Sequence, residues 1–370
     1  MARSGAPSLP NLYGLELEAL VALLGGHDAE PYHAGQIHRW LYRFRRFDPA
    51  KWTDLPRRLR SRLAETSRID PGSIAGRAEA RDGTVKYRIA LADGGEVEAV
   101  HMSQRGRATL CLSSQVGCAL DCDFCLTGKM GLARHLDAGE IAGQVALIQE
   151  DRGLGGAPFN VVFMGMGEPM HNYDHVMAAF RLLTDPLGFG LSHRRVTVST
   201  SGLVPGIERL AAETARPRLA VSLNATTDAV RDRLMPVNRK YPLARLLEAC
   251  RSFTRATGDR FSFEYVLLRG VNDTEEDVNR LARIVRGHRA KLNLIPFNPV
   301  PGWLEYLPPP KPRVETIRDR LLALGVPVSI RWSRGAEARA ACGQLALLPD
   351  RPQGAAVGAR APAPSPRRQP

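Results

Sequence analysis

Thr109-Leu-Cys-Leu-Ser-Ser-Gln-Val-Gly-Cys118-Ala-Leu-Asp-Cys122-Asp-Phe-Cys125 runs from an apolar stretch into three thiols at spacings of four and three. The stretch Thr109–Ser114 reads as a strand, and the cysteines fall in the loop directly after it. Similar short β-branched runs recur at Asn160–Gly165, Arg195–Thr200, Arg218–Leu223, Phe261–Leu268 and Lys291–Phe297, with Pro327–Trp332 after them. Helical stretches lie between, several opened by a capping signature such as Asp137-x-x-Glu140 or Thr274-x-x-Asp277. This alternation calls for a parallel sheet with right-handed crossovers. Six or so units are too few to close an eight-unit barrel, so the expected fold is α/β, a partial (βα)6 TIM-like barrel.

Upstream the pattern changes twice. Leu15–Leu24 and Gln36–Phe44 read as helices, and Asp54-Leu-Pro56 as a cap with Pro entering the next one. Thr84–Leu91 and Glu96–Val100 alternate about a turn at Ala92-Asp-Gly-Gly95, which gives a β-hairpin. The expected organisation is an N-terminal helical basic accessory domain over 1–70, a hairpin linker over 71–104, a core over 105–348 and a tail over 349–370. The tail holds six prolines and four arginines with almost no large apolar side chain, so it is expected to be disordered.

The chain has 370 residues, 51 Lys+Arg against 38 Asp+Glu, and a formal charge of +13. Its 44% apolar and 24% charged content is ordinary globular composition, which excludes a disordered chain and a small disulfide scaffold. No apolar run is long enough to span a bilayer and the first ten residues lack an apolar signal core, so a cytoplasmic location is expected. Such a strongly basic intracellular protein favours a polyanionic partner, most commonly nucleic acid. Between Pro31 and Arg68, ten basic residues face three acids, interleaved with Trp40, Tyr42, Phe44, Phe47 and Trp52. That stretch is either a small bundle with solvated arginines or an RNA phosphate clamp.

Reducing cytosol makes clustered cysteines metal ligands or catalysts rather than structural bridges. Three thiolates do not complete a tetrahedral zinc site, and Cys111 or His135 is the available fourth ligand for one. Three thiolates do suit a 4Fe–4S cluster with one open iron. Further polar groups sit at the other strand ends: Gly165-Met-Gly167-Glu168, Ser199-Thr-Ser201, Ser222-Leu-Asn224 and Asn298. Cys250 reads as a core residue in a helix, whereas Gly343 beside Cys342 suggests a turn of close approach.

The Cys118/Cys122/Cys125 triplet with Phe124 before its last thiol resembles the C-x3-C-x2-C hallmark of radical S-adenosylmethionine (SAM) enzymes. Gln36–Tyr42, Ser113–Cys118, Met164–Pro169, Arg195–Gly202, Leu294–Pro299 and Ala341–Leu345 together resemble the RlmN/Cfr group of radical SAM RNA methyltransferases, the RlmN type best. The resemblance runs from about Leu15 to Leu345. It implies a radical SAM barrel, a 4Fe–4S cluster held by Cys118, Cys122 and Cys125, and two SAM per turnover. SAM contacts are implied for Gly167, Glu168, Ser199, Ser222, Leu223, Asn224 and Asn298.

The implied reaction answers a chemical difficulty. Carbon 2 of adenine is electron-poor and has no lone pair, so direct methyl-cation transfer to it fails. The resemblance supplies a relay in which Cys342 takes a methyl group from one SAM and a second SAM yields a radical that activates that methyl. The activated carbon adds to adenine, Glu98 removes the C2 proton, and Cys111 attacks the Cys342 sulfur to release product as a disulfide. Without the resemblance, nothing selects Glu98 over Glu96. The implied substrates are an adenosine of 23S rRNA at the peptidyl-transferase centre and the tRNA adenosine 3′ to the anticodon. A one-electron reductant, a disulfide reductant and a monomeric enzyme with no membrane partner complete the expectation. The alternatives are a Cfr-type enzyme acting on carbon 8 and a zinc-stabilised RNA-binding protein without catalysis.

Overall fold

A computed structural model of the chain describes residues 9–26, 29–104, 106–300, 302 and 305–347. The tail over 349–370 lies outside them. The strands are β1 (Ser73–Glu79), β2 (Val85–Ala90), β3 (Glu96–Gln104), β4 (Arg107–Cys111), β5 (Gln115–Cys118), β6 (Gly131–His135), β7 (Phe159–Phe163), β8 (Val196–Thr200), β9 (Arg218–Ser222), β10 (Phe261–Leu267), β11 (Ala290–Pro296) and β12 (Val328–Ile330). Ten form one sheet in the order β1-β2-β3-β4-β7-β8-β9-β10-β11-β12, while β5 and β6 pair as a separate hairpin. From β4 to β12 every neighbouring pair is parallel, which makes six strand–helix units closed off by a seventh strand. The sheet has free edges at β1 and β12, so the barrel is partial.

Helices α1 (Leu17–Leu24), α2 (Tyr32–His38) and α3 (Arg57–Thr66) precede the sheet. Helices α4 (Leu126–Lys129), α5 (Ala138–Arg152), α6 (Tyr173–Thr184), α7 (Val204–Ala212), α8 (Asp228–Leu234), α9 (Leu243–Thr257), α10 (Glu275–Arg286) and α11 (Lys311–Ala323) alternate with its strands. Both expected capping boxes form, at Asp137/Glu140 on α5 and Thr274/Asp277 on α10. Strand alternation sorts the core. Val161, Phe163, Val196, Val198, Leu219, Val221, Phe263 and Tyr265 are buried, the face that packs under the helices. The opposite residues, among them Asn160, Thr197, Ser199 and Glu264, line hollow space inside the barrel.

Two expectations need correction. The region over 71–104 is a three-stranded antiparallel meander, with β1 ahead of the hairpin and β3 paired to β4, so it extends the barrel sheet. Asp54 does not cap α3, whose N-cap is Pro56 without a side-chain bond. Its carboxylate instead accepts the Trp40 indole N–H at 2.5 Å and lies 3.5 Å from Arg39.

The N-terminal helices dock on α5 and α6. Gly14 (φ 105°) lies against Gly139, and a Cβ on Gly14 would sit 2.5 Å from the Gly139 nitrogen, so only glycine allows this approach. His38 Nδ1 lies 3.1 Å from Asp185, and Arg181 binds Glu16 with both nitrogens at 2.7 and 2.8 Å. Tyr42 and Trp52 are fully buried, so these two aromatics of the basic stretch are core, whereas Tyr32 and Phe44 are exposed.

Candidate active site

Cys118 ends β5, Cys122 lies in the turn beyond it and Cys125 is the residue before α4. Phe124 packs with Cys122 into a small cluster that includes Leu234, Met235, Leu268 and Phe297, which fixes the loop over the strand ends. Burial pushes the Cys118 thiol up to about 12, and burial followed by the neighbouring Cys125 and Cys118 raises Cys122. The three thiols are thus close enough to feel one another. Among the described residues, no three His, Cys, Asp or Glu are arranged around a single metal ion. A tetrahedral zinc site needs four ligands about 2.3 Å from one ion, a tighter set than the corners of an iron–sulfur cube. Neither proposed fourth zinc ligand joins the triplet: His135 meets the Gln115 amide at 2.9 Å, and Cys111 opens into another cavity. An all-thiol donor set on one rim loop fits a 4Fe–4S cluster with an open iron.

The turn after β7 crosses beside this loop. Gly167 has φ 98°, and a Cβ there would lie 2.6 Å from the Gln115 side chain, so the turn demands glycine. Glu168 Oε1 accepts the Met170 amide at 3.0 Å and Oε2 the Ser201 amide at 2.8 Å. Burial raises its pKa, and these amide donors oppose that by holding the anion. A cavity of about 150 Å³ lies here, lined by Cys122, Cys125, Gly167, Glu168, Ser199, Ser222, Asn224 and Asn298. Leu223, predicted beside them, is fully buried and does not line it. Asn224 (φ 54°) uses its side-chain oxygen to accept the Val266 amide at 2.8 Å, tying β9 to β10.

Arg231, which sequence reasoning missed, holds the same rim from below. Its guanidinium donates to the carbonyls of Ser201 (2.7 Å), Leu223 (3.0 Å) and Ser222 (3.1 Å), and burial pulls its pKa down to about 10.

A second, larger cavity of about 760 Å³ occupies the barrel bore. Cys111 opens into it from β4, and Cys342 lines both this cavity and the smaller one. Both thiols are free: Cys111 is buried, and burial followed by the nearness of Cys342 raises it, whereas Cys342 is exposed to the cavities yet still raised, chiefly by the protein packed around it. The Cys342 turn is stitched down by backbone. Leu126 N–H donates to the Gly343 carbonyl at 2.9 Å, Thr127 Oγ1 to Leu345 O at 2.6 Å, and Asn298 Nδ2 to Cys342 O at 3.1 Å.

The two hairpin carboxylates part company. Glu96 is half-buried and faces Arg88 at 3.2 Å. Glu98 is 2% exposed, pairs with buried Lys86 at 2.9 Å and accepts the Ala346 amide at 2.9 Å. Register puts Val100 opposite Cys111, so Glu98, two residues along, shares the Cys111 face of the sheet. It lines neither cavity as it stands.

Comparison with known proteins agrees with this geometry. Residues 112–282 match the radical SAM superfamily model, and residues 10–69 match that of the ribosomal RNA large subunit methyltransferase N-terminal domain. The chain is 50% identical to a dual-specificity RNA methyltransferase RlmN of Anaeromyxobacter dehalogenans, covering 91% of this chain and 92% of that one. It is 47% identical to a probable dual-specificity RNA methyltransferase RlmN of Moorella thermoacetica, over 91% and 96%. The solved radical SAM methyltransferase from Sphaerobacter thermophilus superposes with a TM-score of 0.86 at 43% identity, over 91% of this chain and 99% of that one. Identity of 50% over 91% of the chain, with both domain models matched, leaves one assignment: the chain belongs to the RlmN family of radical SAM methyltransferases.

Proposed function

We propose that the protein methylates carbon 2 of an adenosine in 23S rRNA and of the adenosine 3′ to the anticodon in tRNA, with Cys342 as the methyl carrier. The observation that carries this reading is that the Cys342 thiol opens on both cavities, one beside the cysteine triplet and one reaching out through the bore. The relatives' names, dual-specificity RNA methyltransferase, support the two substrates.

Cys118, Cys122 and Cys125 would hold the cluster, and Glu168, with Ser199, Ser222, Asn224 and Asn298, would receive SAM. When bound, the cluster supplies the electron that splits SAM to a 5′-deoxyadenosyl radical. Cys342 does the carrying. As thiolate it takes the methyl from a first SAM, releasing S-adenosylhomocysteine, and once that methyl has given up a hydrogen atom to the 5′-deoxyadenosyl radical its carbon would bond to adenine C2. Glu98 then accepts the C2 proton, which requires its carboxylate to let go of the Ala346 amide and meet the base; Lys86 stays as the counter-charge. The odd electron of the adduct would return to the cluster; Cys111 thiolate then attacks the Cys342 sulfur, expelling the base-bound carbon, which takes up a proton as methyladenosine, and leaving a disulfide for a cellular reductant. The target adenine has to leave its stack to enter the bore.

Among the described residues, no helix is long and apolar enough to cross a membrane. The reading adds a monomer in the cytoplasm served by a one-electron donor. It also keeps the clamp: replacing Arg57, Arg58 and Arg60 of α3 by Ala should weaken RNA binding and flatten its salt dependence. The deciding experiment is nucleoside mass spectrometry of RNA treated with anaerobic, SAM-supplied protein. 2-Methyladenosine supports the reading, 8-methyladenosine transfers it to the Cfr-type reaction, and colourless zinc protein without product ends it.

A further inference from the structure

The far end of the bore is built for a polyanion. Arg195 precedes β8, Arg218 opens β9 and Lys291 is the second residue of β11, so all three stand at the strand starts, opposite the cysteine-triplet rim. They line the large cavity with Arg194, Arg331 and Arg334, against a single acid, Asp82. Asp82 is already occupied, accepting the Thr84 and Gly335 amides at 3.0 Å each. Among the described residues, Arg194, Arg195, Arg218, Lys291 and Arg334 reach no carboxylate within ion-pair distance, and Arg331 only Glu264 at 3.9 Å. The cations also press on one another: partial desolvation first, then Arg331 and, against the pull of Glu264, Arg218 lower the Lys291 pKa, although Lys291 is itself exposed. Arg194, Arg218, Lys291 and Arg331 are exposed at the cavity, so together they set up a positive potential open to an incoming anion.

Two further features narrow the anion. Trp332 lines the same cavity with 45% of its surface exposed, beside Arg331 and with the Lys311 ammonium 5.7 Å from its ring centroid. A flat ring set among cations is how proteins hold unpaired bases, by stacking rather than by reading a groove. A second polar hollow of about 370 Å³ adjoins, lined by Arg43 and Arg45 of the N-terminal helical region and sharing Arg195 with the bore. The basic track therefore runs from the N-terminal helices to the barrel mouth. The bore volume falls in the range that admits a molecule of drug size, which suits a flipped nucleotide and not a duplex.

We propose that single-stranded RNA enters the barrel by this mouth, with its phosphates on Arg195, Arg218 and Lys291 at the strand starts and, deeper along the bore, on Arg331 just beyond the end of β12, where a base beside the target stacks on Trp332. This rests on the RNA-methyltransferase reading above and adds the route and the groups that grip. SAM and RNA then approach Cys342 from opposite ends of one channel.

The test uses the iron-loaded full-length chain and a synthetic RNA stem-loop with an unpaired adenosine, its affinity measured from about 50 to 200 mM salt. The combined Arg218→Ala, Lys291→Ala, Arg331→Ala variant should flatten the log–log salt slope by about two to three, roughly 0.7–0.9 per lost phosphate contact, and weaken binding over tenfold at low salt. Trp332→Ala should weaken binding about 5- to 100-fold with the slope intact, and Trp332→Phe should recover most of it. Arg218→Lys, Lys291→Arg, Arg331→Lys together should restore the slope, which excludes a folding defect. Removing three arginines from outer helices (Arg209→Ala, Arg245→Ala, Arg255→Ala) is the charge-matched control and should leave the slope alone. Wild-type slope in the triple-alanine variant, or equal flattening by the outer control, overturns the proposal. Absence of methyladenosine with the wild-type chain is a different result, and it would sink the underlying reading instead.

Discussion

The two cavities that meet at Cys342 differ in nearly every physical respect. The smaller is walled by strand ends, thiols, the Gly167 turn and the buried Glu168 and Glu264 carboxylates, and it carries no lining cation. The larger has six lining cations and one acid. A compact sulfonium with an ammonium group suits the first, and a chain of phosphates suits the second. The teaching is that a single sulfur serves two chemistries by sitting at the wall between opposite potentials. Neither reactant has to displace the other.

The sharpest way to break this contrast is on the cluster side. Cys125→Ala should abolish RNA methylation and lower the iron content, by colorimetric iron assay, without unfolding the barrel in a thermal melt. Retained iron with full turnover would remove the small cavity from the chemistry. At the shared wall, Cys342→Ala should also bring methylation to background while leaving iron in place. Cys111→Ala should instead stop after addition and accumulate a protein–RNA adduct that survives a denaturing gel. Free methyladenosine from that variant would mean Cys111 has no part in release.

Smaller effects sharpen the comparison further. Glu98→Gln keeps the shape and removes the base, so turnover should fall about 10²- to 10⁴-fold with SAM affinity unchanged, measured by single-turnover kinetics. Lys86→Met strips the buried partner of Glu98 and should cost about 3–5 kcal/mol of stability by chemical denaturation, since it leaves a carboxylate buried alone. A change under about 1 kcal/mol would show that Ala346 N–H and water suffice to hold that charge. Glu168→Gln should raise the SAM KM about tenfold to a hundredfold through loss of a charged contact, with RNA affinity intact. Coupled loss of both affinities would show that the two sides are not independent.

Much of this organisation was legible in the sequence, and the exceptions have physical causes. The seven parallel strands fall within a few residues of their β-branched runs because helices cover one face and force apolar alternation there. The capping boxes were legible because they are local. Strand β1, Ser-Ile-Ala-Gly-Arg-Ala-Glu, escaped notice because it is an exposed edge with no buried face to pattern it. The β5–β6 hairpin escaped because the cysteine loop separates its partners. Asp54 misled because a carboxylate before Pro looks like a cap until a neighbouring indole claims it. The triplet stands out by its spacing alone, whereas Cys342, the Gly167 turn and Glu98 are singled out only through the family resemblance. Neither route reaches the bore cations. Arg195, Arg218 and Lys291 each stand singly near a strand start and Arg331 just past a strand end, where a cation reads as solvated, and only the curling of the sheet brings them to one cavity.

The stitching of the Cys342 turn has an outcome of its own. Three of its bonds to the strand ends and the cysteine loop are accepted by main-chain carbonyls, those of Gly343, Leu345 and Cys342 itself. Peptide oxygens are the same whatever residue bears them. The reach of the carrier arm is thereby fixed by the path of the main chain on either side of Cys342 and not by the side chains at 343 and 345.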